Sequence, residues 1–383
     1  MGAYILRRLL LIIPTLLGIM LVNFVLTQFV PGGPIEQYIA QYEGEGDVFS
    51  GFAGGNSPAP ELDKADDSYA GSRGLPKAFL EKLEIEFGFA RIVCDEGFTG
   101  TPDLKNEACR KEEIGIGERF LIMMGNYLRF DFGDSYFRSI GVFELVAEKL
   151  PVSVSLGLWS TLIAYMVSIP LGIRKAVRDG SRFDTWTSGV LVAAYAIPGF
   201  LFAILLLVLF AGGSFVQWFP LRGLTSENWD QLGPLAKVAD YFWHLALPVT
   251  ASLIGAFTFS TLLTKNSFLD EISKQYVITA KAKGLSDDRV LYGHVFRNAM
   301  LIVIAGLPGA FIGIFFGQSL IIETIFSLDG LGRLGFEAAV ARDYPVIFGT
   351  LFVFGLMGLV VGIISDLIYV FVDPRIDFER REG

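Results

Sequence analysis

The residues best placed for binding or chemistry lie in one polar strip, Tyr276–Ala299. The strip carries the cations Lys281, Lys283, Arg289 and Arg297, but it contains no nucleophile–base pair, no cluster of metal ligands and no phosphate-binding loop. The whole chain contains no Gly-Lys dipeptide, which excludes a Walker A motif, and only two histidines, which excludes a multi-histidine metal site. We therefore expect no catalytic residue, no metal and no cofactor bound by this chain.

The strip lies among six long runs that are almost free of charge. Each run has the roughly 20 apolar residues that a helix needs to cross a bilayer, where the backbone must satisfy its own hydrogen bonds. With 52% hydrophobic residues, the chain is predicted to be an all-α polytopic membrane protein rather than a soluble protein with buried helices. The runs are Leu9–Val30, Val152–Ile173, Trp186–Ala211, Leu245–Leu263, Ala299–Ile322 and Tyr344–Val372.

The first run could also be interpreted as a cleaved signal peptide, because Arg7 and Arg8 precede it. Its length, its Pro14 and the lack of an obvious small-x-small cleavage site favour a retained span.

Lysine and arginine are denser on one side of the predicted membrane. If the N-terminus is cytoplasmic, 15 of them fall in about 66 inside residues and 16 in roughly 175 outside residues. This distribution predicts that both termini and the loop 265–298, which contains the strip, face the cytoplasm.

Residues 31–150 form the predicted external insertion, which holds 22 Asp and Glu against 12 Lys and Arg. This acidity indicates either an ordinary solvated surface or one that favours cationic ligands, and it does not indicate nucleic acid. Within the insertion, 44–74 is predicted to be flexible and 76–130 partly helical. Cys94 and Cys109 are predicted to form a disulfide, the alternative being two unpaired thiols.

The strip itself is predicted to be helix, turn and helix. Gly284 suits a helix C-terminus, and Ser286 can cap a second helix that begins with two aspartates. Val277, Ala280 and Gly284 share one face of small side chains. That face could dock into a cleft of another protein, or the helix could lie on anionic lipid; the residues alone leave both open.

The sequence leaves the roles of two charged residues open. Asp366 is the one acidic residue within an apolar run, so it is either a pathway residue or a paired structural carboxylate near the end of the span. Arg297 could anchor the strip to the fifth span or to lipid headgroups.

The strip resembles the cytoplasmic coupling loop of ABC-importer permeases, in the version found in the dipeptide/oligopeptide group. Similar motifs run in order along the chain: YILRRLLLIIPTLLGI, FDFGDSY, HLALPV, Glu323–Gly349 and DPRIDFE. The long insertion with its two cysteines is similar to the YejB branch of that family, which is associated with oligopeptide and microcin C uptake. The resemblance assigns contact with the ATPase to Tyr276, Val277, Thr279, Ala280, Lys281, Ala282, Lys283, Gly284, Leu285, Ser286, Arg297 and Asn298.

The resemblance implies a type I importer permease with about six transmembrane helices and a large periplasmic insertion between helices 1 and 2. Residues 1–30 would form the N-terminus and first span, 31–150 the insertion, and 151–383 the core permease domain. The chain would translocate peptides from periplasm to cytoplasm across the bacterial inner membrane. Its expected partners are a second permease subunit, one or two ABC ATPase subunits that carry ATP and Mg²⁺, a periplasmic peptide-binding protein, the lipid bilayer and the peptide.

Three departures and three alternatives accompany this interpretation. Ile278 replaces a Glu of the general family signature, Ile302 stands where a Pro is usual, and Asp329 replaces a Pro of the external loop.

The alternatives are a permease of the same family for another small solute, such as nickel or glutathione, an ATP-independent secondary transporter, and a membrane enzyme. A secondary transporter would be expected to show polar residues at mid-membrane and similar halves. For an enzyme, no pair of external carboxylates has a spacing that indicates acid–base chemistry.

Overall fold

The computed structural model describes residues 2–30, 32–42, 77–95, 101–102, 104, 109–138, 140–212, 215–312 and 319–372. The segment 44–74, predicted to be flexible, and the C-terminal motif 373–379 lie outside these residues. In chain order the helices are α1 (Gly2–Phe29), α2 (Pro34–Tyr42), α3 (Lys77–Glu86), α4 (Ile116–Tyr127), α5 (Val142–Val177), α6 (Arg182–Ala196), α7 (Gly199–Phe210), α8 (Pro234–Ile272), α9 (Gln275–Ala282), α10 (Asp287–Val290), α11 (Phe296–Ala305), α12 (Leu307–Ile312), α13 (Ser319–Ile325), α14 (Leu331–Ala341) and α15 (Tyr344–Val372).

The prediction of a helical polytopic membrane protein is confirmed. Within the described residues, five helical stretches are long and apolar enough to cross a membrane, and a bent pair raises the number to six. The five stretches are Ile5–Phe29, Val142–Val177, Pro234–Ile272, Asp287–Ile312 and Tyr344–Ile368.

The third apolar run, Trp186–Ala211, was expected to be a single helix, and this expectation was wrong. The run falls within α6 and α7, which meet at an angle of 91°. Ile197 precedes Pro198 and has an extended backbone (φ −81°, ψ 119°), as expected because proline disfavours the helical conformation of the residue before it.

Other boundaries also differ from the sequence prediction. Helix α5 begins at Val142, before the second apolar run, and continues through Pro151 and Pro170 for 36 residues. The fifth run was expected to continue to Ile322, whereas α12 ends at Ile312 and α13 begins at Ser319.

Contacts divide the chain into two compact units. Unit 1 comprises Met1–Ile12, Glu148–Leu334 and Leu356–Gly383, and unit 2 comprises Ile13–Ala147 and Gly335–Gly355. This division differs from the expected boundaries, because residues 335–355 group with the insertion.

Unit 1 is organised around α8, which packs against α6, α7 and α11. One of its apolar clusters joins Phe268 of α8 to Val303 of α11 and to the strip, and another joins Leu156 and Leu245 to Phe326. These clusters fix the ends of α8 and α11, between which the strip lies.

Unit 2 contains a small helix–hairpin module that the sequence did not predict in full. Strands β1 (Ala90–Cys94) and β2 (Cys109–Glu113) pair antiparallel, with Cys94 opposite Cys109. Helix α3 lies in the segment 76–130, which was predicted to be partly helical; its Leu83 and the following Phe87 pack against Ile35 and Ile39. Sequence analysis did not predict the strands, because the residues around the two cysteines show no clear alternation of apolar and polar side chains.

Candidate functional site

The strip forms the helix, turn and helix that its sequence predicted. Helix α9 ends before Gly284, whose φ of +83° is the left-handed conformation that glycine adopts at low cost. Helix α10 follows, and Lys281 Nζ lies 2.8 Å from Asp287 Oδ1 across the turn. The predicted side-chain cap was wrong, because the hydroxyl of Ser286 makes no capping hydrogen bond.

The face of small residues on α9 is directed inward, onto the chain's own core. Val277 and Ala280 are 3% and 9% exposed and belong to the cluster that contains Phe268, Val290 and Val295. Docking of this face into a partner was one of the two alternatives that the sequence left open, and in the structure neither Val277 nor Ala280 is available for it. This face packs against α8 and the residues after α10. The spacing of small residues along one sequence does not distinguish packing within the chain from packing against another protein.

The opposite face of α9 is open. Ile278 is 55% exposed, and Thr279, Lys281 and Ala282 are also exposed. Tyr292, in the π-helical turn Leu291–Val295 that follows α10, is 61% exposed. The strip thus presents apolar side chains between cations, which either a protein partner or an anionic membrane surface could contact.

A hydrogen-bonded group holds the start of α9 against the end of α8. The Tyr276 hydroxyl donates to Glu271 Oε2 at 2.7 Å, Lys274 pairs with the same carboxylate, and Asn298 also bonds to this group. Burial and then the bond to Glu271 raise the pKa of Tyr276 to about 12, so the phenol remains a neutral donor at physiological pH. Ser267 adds a 2.6 Å bond to the carbonyl of Ala299.

A buried ionic network close to the strip was missed by sequence reasoning. Lys175 is 0% exposed; its Nζ lies 2.9 Å from Asp184 Oδ1 and donates to the hydroxyls of Thr187 and Ser188 at 2.7 Å. Lys265 of α8 reaches Asp184 Oδ2 at 2.8 Å. The sequence feature that could have indicated this network is a lysine at the end of an apolar run, followed by Asp, Thr and Ser in the next helix.

Close helix packing permits this network. A Cβ at Gly172 would lie 2.6 Å from Thr264 Cβ, so only glycine lets α5 approach α8 this closely. The network and the close approach together tie the α5–α6 connection to the part of α8 that leads into the strip.

A second buried carboxylate organises the predicted external loop. Glu323 is fully buried; it accepts hydrogen bonds from Ser153 Oγ at 2.7 Å and from the backbone N–H of Arg333 at 2.8 Å. Ser153 Oγ in turn accepts from the N–H of Leu331 at 2.8 Å. These contacts fix the turn that begins α14.

The remaining candidate residues have structural partners. Asp366 Oδ2 lies 3.0 Å from Arg8 Nη1, which favours a paired structural carboxylate over a role in the pathway. Cys94 and Cys109 are joined by a disulfide in the structure. Arg297 and Asn298 are exposed near the C-terminal end of the strip. Among the described residues, no group of three or more His, Cys, Asp or Glu side chains could hold a metal ion.

Comparison with known proteins gives consistent matches. The family model described as "Binding-protein-dependent transport system inner membrane component" matches residues 168–378. The chain is 59% identical over 386 residues to the peptidoglycan transport system permease protein YejB of Agrobacterium fabrum, and 53% identical over 387 residues to the inner membrane ABC transporter permease protein YejB of Escherichia coli O157:H7; both matches cover 100% of each chain. The oligopeptide transport system permease protein AppB of Bacillus subtilis is 31% identical over 99% of this chain and 100% of that protein.

Proposed function

Because this chain belongs to the family of binding-protein-dependent transport system inner membrane components, we propose that it is the permease subunit of an ATP-driven importer of peptides. One relative is named for peptidoglycan transport and another for oligopeptide transport, and both names fit a peptide-containing cargo. Di- and oligopeptides, and peptide antibiotics such as microcin C, are the substrates we propose. Transport would run from periplasm to cytoplasm.

The main support for this proposal is that one face of α9 is packed against the chain while the opposite face is exposed. Its inner face is buried through Val277 and Ala280, and Tyr276 bonds to the end of α8, whereas Ile278 and Ala282 are open on the other side. A partner bound to the open face can therefore displace α9 only together with the ends of α8 and α11. Nucleotide would drive transport if it changed the partner's contacts between two access states.

We propose that this partner is an ABC ATPase, with one or two such subunits per complex. ATP and Mg²⁺ would be bound there, a second homologous permease would complete the pathway, and a periplasmic peptide-binding protein would deliver the cargo. In this arrangement residues 31–150 are periplasmic, the strip is cytoplasmic, and the chain itself catalyses no reaction.

The competing function for the strip is attachment to anionic lipid. Lys281, Lys283, Arg289 and Arg297 would then face phosphate headgroups, and Ile278 would enter the interface. This alternative predicts that contacts of the open face do not depend on the ATPase or on nucleotide.

Site-directed crosslinking separates the two functions. In a background in which both native cysteines are replaced by serine, Ala282→Cys places a thiol on the open face and Ala280→Cys places one on the buried face of the same helix. In membranes containing the co-expressed ATPase subunit, Ala282→Cys should crosslink to it and the yield should change with ATP. Ala280→Cys is the matched control and should react far less.

A crosslink at Ala282→Cys that is absent in an assembled complex, or labelling only by lipid-surface probes, would contradict the coupling function. Equal yields at the two positions would contradict the assignment of the open face.

A further inference from the structure

Unit 2 contains a cavity of about 640 Å³, within the size range of small-molecule sites in proteins. It is open on one side and is lined by the end of α1, by α4, by the segment between α4 and α5, and by the start of α15. None of the residues assigned above to coupling lines it. Aromatic rings contribute much of its wall, among them Phe24, Phe87, Tyr127, Phe132, Tyr136 and Phe348.

The charged side chains that line the cavity are mostly acidic. Glu86, Asp131 and Asp134 contribute three carboxylates, whereas Arg119 contributes one cation. The guanidinium of Arg119 lies 4.7 Å from the centroid of the Phe89 ring, and it donates to a Gln28 side-chain oxygen at 3.2 Å. Arg119 is therefore engaged with the wall, and the cavity carries a net negative charge.

The carboxylates are accessible and can accept further hydrogen bonds. Glu86, Asp131 and Asp134 are all exposed. Asp131 Oδ1 accepts from the backbone N–H of Gly133 at 3.1 Å, and an ionised carboxylate has about four acceptor positions. Negative charge beside aromatic faces is the environment that binds ammonium and guanidinium groups, because the ring quadrupole and the carboxylate attract a cation together.

We propose that this cavity is a binding site for the cationic end of a peptide, either a free α-amino group or a Lys or Arg side chain. Asp131 and Asp134 would pair with the cation, and the aromatic wall would contact the apolar part of the ligand. The identification of the ligand as a peptide rests on the proposed function, whereas its positive charge rests on the cavity alone. The site would give the permease its own preference for cationic cargo.

Direct binding to the full chain tests this site. The chain is placed in nanodiscs of phosphatidylglycerol, which has no amine, and titrated calorimetrically without ATP using the tripeptides Lys-Leu-Lys and Glu-Leu-Glu. Lys-Leu-Lys should bind with a dissociation constant below about 1 mM, and Glu-Leu-Glu should bind at least tenfold more weakly. Affinity for Lys-Leu-Lys should fall as salt is raised.

Two variants and one control locate the binding. Asp131→Asn/Asp134→Asn retains the side-chain acceptors of the turn but removes two charges, and it should weaken binding at least tenfold. Asn126→Trp keeps every charge and fills the cavity with a large ring, so it should also weaken binding at least tenfold. Glu113→Gln/Glu144→Gln removes the same charge from exposed positions that do not line the cavity, and it should bind as the parent does.

Absence of binding, equal binding of both tripeptides, or equal losses in the aspartate variant and its control would overturn the proposal. A lipid amine has the same chemistry as the peptide amine, so the titration is repeated in discs that contain phosphatidylethanolamine. Loss of Lys-Leu-Lys binding there would assign the cavity to a lipid headgroup and overturn the peptide assignment. The ATP-dependent crosslink at Ala282→Cys is measured separately, so the proposed function and this site can fail independently.

Discussion

The buried lysine of unit 1 gives the sharpest quantitative prediction. Lys175→Met keeps the length and apolar volume of the side chain but removes its charge and its donors. The change takes away the 2.9 Å ion pair with Asp184 and the donors to Thr187 and Ser188. Asp184 keeps Lys265 at 2.8 Å, so its carboxylate is not left wholly unpaired.

The expected cost follows from those contacts. Removing one partner of a buried ion pair costs about 3–5 kcal/mol, because the other charge stays in a medium that solvates it poorly. Lys265 offsets part of that cost, and Thr187 Oγ1 keeps its 2.7 Å bond to the carbonyl of Phe183. We therefore expect Lys175→Met to lower the free energy of unfolding by about 3 kcal/mol.

The assay is equilibrium unfolding of the purified full chain in mixed micelles, in which denaturing detergent is titrated against the parent and the variants. Lys283→Met is the matched control, because Lys283 is exposed; its effect should stay within about 0.5 kcal/mol. A double-mutant cycle with Asp184→Asn should show coupling of about 1–3 kcal/mol between the two side chains. If Lys175→Met cost no more than Lys283→Met, or if the cycle were additive, the ion pair between Lys175 and Asp184 would not stabilise the fold and the reasoning would be refuted.

Three further outcomes are expected. Gly172→Ala should destabilise the chain by about 1–3 kcal/mol, because the new methyl group would overlap Thr264; Gly189→Ala, which meets no atom within 4 Å, is the control and should leave the unfolding midpoint unchanged or raise it slightly. Burial raises the pKa of Asp343 above its ordinary value near 4, so at a pH between the two values the folded form holds a proton that the unfolded form has lost. The free energy of unfolding should therefore fall as pH rises from the ordinary pKa to the raised one. Asp343→Asn should flatten that slope in thermal unfolding measured between pH 4 and 7. Replacing the two hairpin cysteines with serine should lower the local unfolding free energy by about 3 kcal/mol, seen as faster proteolysis between the strands; an unchanged cleavage rate would contradict a stabilising role of the disulfide.

The sequence predicted those features that depend on local composition. Five of the six apolar runs overlap a helical stretch that could span a membrane, although their bounds differ, because length and hydropathy are local properties. The turn of the strip was also predicted, since Gly284 and the acidic start of α10 act within a few residues. Local signals were not sufficient at Ile197 and Pro198, where a proline in an apolar run could produce either a mild kink or the observed 91° bend.

Features that depend on three-dimensional neighbours were not predictable from one sequence. The small-residue face of α9 has the same spacing whether it packs against α8 or against another protein. The sequence therefore could not indicate that the side chains of Val277 and Ala280 lie in the chain's own core. Lys175 and Lys265 are separated by 90 positions in sequence and meet at a single carboxylate. No periodicity carries that information, because the contact depends on the packing of α5, α6 and α8.

The way α9 is attached limits how the strip could transmit movement. Two attachments hold α9: the apolar cluster that contains Val277 and the hydrogen bond between Tyr276 and Glu271. If only one were present, α9 could pivot about it and a displacement of the open face would be lost as rotation. With both, displacement must be shared with α8 and, through Ser267 and the carbonyl of Ala299, with α11. Tyr276→Phe removes one attachment and leaves the packing intact, so under the proposed function it should lower the number of peptides transported per ATP hydrolysed while leaving ATPase binding unchanged. An unchanged ratio in reconstituted vesicles would show that the apolar contact alone transmits the movement.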